Sequence, residues 1–230
     1  MKTIGLLGGM SWESTLEYYR IMNEAVREKL GRLHSAKILL YSYDFEEIET
    51  LQHRGRWDLL GQSLLEQALR LEKAGADMIV LGTNTMHKLA GVLEAGLSIP
   101  LIHIADVSAE GIKKRGLRLV GLLGTRFTME GDFYAGRLEE KHGIRTIVPG
   151  DEDRRIVHAA IYDELCLGVI KESSKGQFLR IVGDLVSRGA EGIILGCTEI
   201  PLLIKPGDVT VPVFDTTRIH ARAAVERALD

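Results

Sequence analysis

The chain has 230 residues, of which 45% are hydrophobic and 27% charged, and a formal net charge of −3. That balance suits a soluble globular protein of one large or two small domains and gives no electrostatic basis for nucleic-acid binding. No apolar run approaches the ~20 residues a membrane-spanning helix needs, so no membrane partner is expected.

The first nine residues carry too short an apolar segment for a secretion signal. Residues 4–7 instead read as a buried strand. Gly8-Gly9-Met10-Ser11 then turns the chain, with Ser11 placed to cap a helix and Glu13 in its first turn. Trp12, Leu16, Tyr19, Met22, Val26 and Leu30 predict one apolar face for that helix. A strand is expected over 37–43, then a polar loop holding Gln52, His53, Arg54 and Arg56. A second helix carries Trp57, Leu60, Leu64, Ala68 and Leu71. The strand at 78–81 ends in the turn Thr83-Asn84-Thr85, followed by a helix over 86–94 and a strand opening at Ser98-Ile99-Pro100.

From Asp106 the pattern restarts. A helix leads to a strand at 119–123, and Gly124-Thr125 turns into a helix running to Lys141. A strand at 144–148, helices at 156–170 and 177–188, a strand at 192–195 and a last strand at 211–214 follow. The closing helix, 217–229, has no strand after it and is expected to pack on the first half.

The two halves echo each other. Gly75-Ala76-Asp77-Met78-Ile79-Val80-Leu81-Gly82-Thr83-Asn84-Thr85 is matched, 114 residues on, by Gly189-Ala190-Glu191-Gly192-Ile193-Ile194-Leu195-Gly196-Cys197-Thr198-Glu199. Ile4-Gly5-Leu6-Leu7-Gly8 is matched by Val120-Gly121-Leu122-Leu123-Gly124, and Ile99-Pro100-Leu101-Ile102-His103 by Val211-Pro212-Val213-Phe214-Asp215. Such a repeat implies an α/β fold of two pseudo-symmetric parallel-sheet lobes from an internal duplication. The expected division is 1–103 plus 216–230 for the first lobe and 104–215 for the second. In parallel sheets the chemistry gathers at the carboxyl ends of strands. If the lobes face each other, the turns at Gly8, Thr83, Gly124 and Cys197 line one active-site cleft.

Cys197 is the leading catalytic candidate. At a strand end before a helix start, amide groups and the helix dipole would lower its pKa below the usual ~8.5. Thr83 gains meaning as its counterpart in the repeat, although a hydroxyl needs a neighbour to activate it. Asn84, Thr85, Thr198 and Glu199 supply donors and acceptors beside the pair, and such groups suit a carboxylate ligand. Met10, Gln52, Thr125 and Thr128 complete the candidate substrate contacts. His87, one helical turn after Thr83, could support the site. Cys166 reads as helix packing. The two cysteines form no CxxC pattern, no disulfide is expected, and the expected compartment is the cytoplasm. Gly5, Gly8 and Gly9 do not make a dinucleotide-binding spacing.

These motifs resemble the aspartate/glutamate racemases, over essentially the whole chain: Gly8-Gly9-Met10-Ser11, Thr83-Asn84-Thr85-Met86-His87, Gly196-Cys197-Thr198-Glu199 and Pro212-Val213-Phe214-Asp215. The resemblance implies two lobes with the active site between them, a homodimer, no cofactor or metal, and a small acidic amino acid as substrate. It implies that two residues stand on opposite sides of the α-carbon, one removing the proton and the other returning it. The family usually has Cys-Asn-Thr in the first lobe. Here Thr83 stands in that place, as in a subgroup that prefers L-aspartate and L-glutamate. Aspartate racemases often carry a Lys near residues 164–166, and this chain has none there.

Three other readings are open. Thr83 with Cys197 is formally compatible with a single-Cys decarboxylase of malonates. A non-catalytic amino-acid-binding module would need only the polar turns. A Cys–His hydrolase would need an imidazole near Cys197, with His87, His103 and His220 as the candidates.

Overall fold

The structure is a computed structural model and describes residues 1–230. The chain divides into two compact units, Met1–Ile104 with His220–Asp230, and Ala105–Ile219. Each is built on a four-stranded parallel sheet covered by helices. No helix is long and apolar enough to cross a membrane.

The first unit begins with strand β1 (Ile4–Gly8) and helix α1 (Trp12–Leu30), followed by β2 (Ile38–Ser42), α2 (Phe45–His53) and α3 (Trp57–Lys73). Next come β3 (Met78–Leu81), a 3-10 turn over Thr85–Leu89, α4 (Ala90–Gly96) and β4 (Leu101–Ile102). The sheet order is β2-β1-β3-β4, every pair parallel. Helix α3 buries Leu60, Leu64, Ala68 and Leu71 against Leu7, Ile79 and Leu81. Each fully buried leucine is worth roughly 1.5–3 kcal/mol.

Helix α5 (Ile104–Lys113) leads into the second unit: β5 (Leu119–Gly124), α6 (Arg126–Glu130), α7 (Asp132–His142), β6 (Arg145–Ile147) and α8 (Asp151–Asp163). After a 3-10 turn at Leu165–Leu167 come α9 (Glu172–Ser187), β7 (Ile193–Gly196), α10 (Ile200–Leu203), β8 (Val213–Asp215) and α11 (Thr216–Leu229). The order β6-β5-β7-β8 repeats the first sheet strand for strand. The tail of α11 belongs to the first unit, where the Lys2 amide donates to Ala228 C=O at 2.8 Å.

The repeat extends to individual contacts. Gly5 leaves room for Ile79, whose Cδ1 would lie 2.8 Å from an added Cβ; Gly121 does the same for Ile193 at 2.7 Å. The Ile79 amide donates to Pro100 C=O and the Ile193 amide to Pro212 C=O, both at 2.9 Å. The residues entering β3 and β7 also carry the same tether. Asp77 accepts from the Thr3 amide at 2.6 Å, and Glu191 from the Leu119 amide at 3.0 Å.

Several local expectations are corrected. Gln52 and His53 stand in α2 rather than in a loop, because Asp44 caps that helix by accepting from the Glu46 amide at 3.1 Å. Of the apolar face expected on α1, only Met22 and Val26 are buried. Trp12, Leu16, Tyr19 and Leu30 are exposed, while Tyr18, Ile21, Met22, Ala25 and Val26 are buried. The single helix expected after Thr125 is broken at Gly131 into α6 and α7. The segment expected as a helix after Thr85 starts as a 3-10 turn before α4 begins. The helix expected over 156–170 starts at Asp151 and ends at Asp163, short of Cys166.

Candidate functional site

Four polar turns sit at the carboxyl ends of the central strands, β1 and β3 in one unit and β5 and β7 in the other. After β1, Gly9 has φ +82° and lies so close to Tyr43 that a Cβ would fall 2.3 Å from both its backbone N and O. Only glycine fits there. Ser11 caps α1 by accepting from the Ser14 amide at 3.4 Å. The Gly9 amide donates to Thr15 Oγ1, which in turn donates to Ser11 C=O, both at 2.8 Å. Met10 is buried in the first unit's core.

After β3, the Gly82 N–H extends the ladder by donating to Leu7 C=O at 2.8 Å, and the Thr83 N–H donates back to Leu81 C=O at 2.8 Å. Thr83, Asn84 and Thr85 are all buried. Gln52 reaches the same neighbourhood from α2, its Nε2 lying 3.1 Å from Met86 Sδ. Gln52 is thereby tied to the segment that follows the Thr83-Asn84-Thr85 turn. Arg54 and Arg56 stay outside it; Arg56 is exposed and paired with Asp58 at 2.9 Å.

In the second unit Thr125 caps α6, accepting from the Thr128 amide at 3.3 Å, and its hydroxyl lies 3.2 Å from that of Thr128. Thr128 is fully buried and packs under Gly124. Sequence reasoning missed His158, whose Nδ1 accepts from the Arg126 amide at 3.2 Å behind this turn.

The turn after β7 holds the most chemically loaded cluster. One carboxylate oxygen of Glu199, Oε2, accepts from Cys197 Sγ at 2.9 Å and from Thr198 Oγ1 at 2.8 Å. All three residues are buried. Cys197 itself belongs to the second unit's hydrophobic core, with Leu123, Leu195 and Ile200. Burial, and then the adjacent Glu199 carboxylate, push its thiol well above the ordinary range. This overturns the expected thiolate. The helix that follows is only four residues long, and its field does not outweigh a desolvated sulfur beside an acid. The cluster sets a thiol whose ionisation is opposed by burial against a carboxylate oxygen in direct contact. Cys166, half-buried, packs against the same core.

The histidines offered for a Cys–His pair lie in the first unit. His87 donates to Thr83 C=O, and its ring packs edge-on against those of His103 and His220. No group of three or more His, Cys, Asp or Glu side chains is arranged to hold a metal ion.

Two parallel sheets of one strand order, each ending in a small-residue turn with a Cys or its Thr counterpart, define a duplicated α/β architecture. The chain matches the Asp/Glu/Hydantoin racemase family over residues 7–224 and belongs to it, which places it among the racemases. It is 56% identical to a proposed Asp/Glu racemase from Yersinia pestis, with a TM-score of 0.94 and full coverage of both chains. It is 41% identical to an aspartate racemase homologue from Pyrococcus horikoshii OT3, with a TM-score of 0.87 and again full coverage. It is also 23% identical to the broad specificity amino-acid racemase RacX of Bacillus subtilis (strain 168), covering 98% of each chain.

Proposed function

We propose that the protein racemises an acidic amino acid, aspartate or glutamate, using Cys197 and Thr83 on opposite faces of the α-carbon. The Cys197–Glu199 contact carries the reading. A thiol kept protonated by burial cannot serve as a base until its proton leaves, and Glu199 Oε2 is already placed to take it. The resulting thiolate removes the α-proton, and Thr83 returns a proton to the other face; Thr83 regains its proton, and Glu199 gives one up, by exchange with water as product leaves. In the reverse direction the Cys197 thiol is the acid. Charge developing on the substrate carboxylate is met by Asn84, Thr85, Thr198 and turn amides, while Met10, Gln52, Thr125 and Thr128 shape the rest of the pocket. Acid and base are both side chains of the chain itself.

The unequal pair has a constrained signature. L- and D-enantiomers have the same free energy, so kcat/KM must be equal in the two directions. A preference for the L-form therefore shows only in kcat and KM taken separately, or in unequal α-proton washout.

The test is proton NMR of L- and D-aspartate and L- and D-glutamate in deuterium oxide, with Cys197→Ala and Thr83→Ala beside the wild type. Each variant is expected to lose inversion by about 10²–10⁴-fold. Each is also expected to keep washout, with retention, of one enantiomer, and the two variants should keep opposite ones. Inversion surviving Cys197→Ala would overturn the reading.

A further inference from the structure

The racemase reading leaves His87 without a task, although the residue is buried and both ring nitrogens are engaged. Its Nδ1 lies 2.7 Å from Thr83 C=O, and its Nε2 lies 3.1 Å from the Ile104 amide. A backbone amide can only donate, so Nε2 is the acceptor and the hydrogen sits on Nδ1, directed at Thr83 C=O. This assignment follows from the partners alone.

The ring therefore ties two places together. One is the turn at the carboxyl end of β3. The other is the exit of β4, where α5 begins. Thr83 is held at both backbone groups: its amide by Leu81 C=O at 2.8 Å and its carbonyl by His87. The anchor is itself fixed from behind. His220 Nε2–H donates to Ile102 C=O at 2.7 Å, and the Tyr18 hydroxyl donates to His220 Nδ1 at 2.9 Å. The His87 ring packs edge-on against His103, with centroids 4.6 Å apart, and against His220, 5.7 Å apart. Three imidazoles and a phenol, all buried in one unit, hold a two-residue strand end and a three-residue turn in register.

We propose that His87 is a positioning residue for Thr83: its Nδ1–H bond to the Thr83 carbonyl, braced on the Ile104 amide, fixes where the Thr83 hydroxyl stands for its proton transfer. The proposal rests on the racemase reading. Thr83 needs such an anchor more than Cys197 does. Cys197 has a carboxylate two residues on that contacts its reacting atom directly, whereas the corresponding place after Thr83 is occupied by Thr85. A weak acid that cannot be activated electrostatically depends on geometry, and a misplacement of about 1 Å can cost ~100-fold.

The test separates the two nitrogens. Asn places an amide N–H where His carries Nδ1, and Gln places its amide where His carries Nε2. His87→Asn can therefore keep the bond to Thr83 C=O, while His87→Gln keeps only an acceptor for Ile104. The enantiomer that loses washout in Thr83→Ala identifies the Thr83-served face. His87→Gln is expected to slow washout on that face by about 10–100-fold, leaving the Cys197-served face within about twofold and KM little changed. His87→Asn should recover most of the loss. Equal losses on both faces, or no rescue by Asn, would overturn the proposal. Should His87→Gln fold poorly, nitrogen-15 spectra of the wild-type histidines decide independently: an Nδ1–H tautomer is expected for His87, and an Nε2–H tautomer sinks the idea. If Thr83→Ala leaves both washouts intact, the racemase reading itself has failed and this proposal falls with it. If Thr83→Ala silences one washout and His87→Gln does not, only this proposal fails.

Discussion

The turns after β3 and β7 occupy the same place in two copies of one architecture, yet they are built by different means. After β7, Cys197 has Glu199 two residues on, and that carboxylate touches its sulfur. After β3, Thr83 has Thr85 at the matching place and relies on His87, four residues on, to hold its backbone. The residue matching His87 in the second unit is Pro201, which has no side-chain donor. On the proposed reading, one turn tunes its reacting group by charge and the other by position. A duplicated fold can thus keep its strands and diverge at the two or three residues that follow them.

The largest effect should come from removing the charge. Glu199→Gln takes away the acceptor for the Cys197 proton, and inversion should fall by about 10²–10³-fold. The same change removes a negative neighbour that raises the thiol, so the pH-rate limb belonging to Cys197 should move to lower pH even as the maximum rate drops. A limb that stays in place or moves upward would show that Glu199 does not act on the sulfur. Thr85→Gln, a change at the matching place in the first unit, should leave that limb where it is.

The strands and their turns were legible in the sequence because parallel strands buried on both faces leave continuous apolar runs, and glycine marks where the backbone must pass close. The pair Gly82 and Gly196 is the clearest case. Helix α2 was not legible, since its nine residues offer little periodicity and only Asp44 with Glu46 and Glu47 signals its start. The face of α1 was misread because Trp12, Leu16 and Tyr19 have helical spacing yet lie outward. The raised thiol at Cys197 was not legible either: nothing in Cys-Thr-Glu says that the glutamate folds back onto the sulfur. The Tyr18–His220 bond joins residues 202 apart in sequence, and no local pattern encodes it.

The burial of His220 makes the first unit sensitive to acid. Burial pulls His220 down from 6.5 to about 4, against the raising effect of its bond to Ile102 C=O. The unfolded chain therefore takes up this proton first as pH falls. The stability is complete above about pH 6.5 and is lost as pH drops towards 4, with a slope of about 1.4 kcal/mol per unit, or about 2 kcal/mol by pH 5. Urea unfolding at pH 7, 6 and 5 should show the loss in the wild type and a flatter dependence in His220→Gln. Parallel curves for the two proteins would mean that His220 is not buried as described.

The smallest effect should be the difference between the glycines that close the two strands. An alanine Cβ at Gly196 would lie 2.9 Å from Leu123 C=O and 2.8 Å from Leu122 Cδ1. At Gly82 the corresponding distances are 3.1 Å to Leu7 C=O and 3.4 Å to Leu6 Cδ1. The leucine side chains can turn away, but the carbonyls are fixed in their parallel ladders. Gly196→Ala must therefore push strand β7 from β5, while Gly82→Ala needs only a few tenths of an ångström. The expected costs are about 2–3 kcal/mol and about 1 kcal/mol. Thermal unfolding of the two variants reads the difference, and equal shifts would mean that the second turn is no more tightly packed than the first. Because Cys197 directly follows Gly196, the larger strain would also fall on the turn that works by contact, and Gly196→Ala should lose more activity than Gly82→Ala for the same loss of stability.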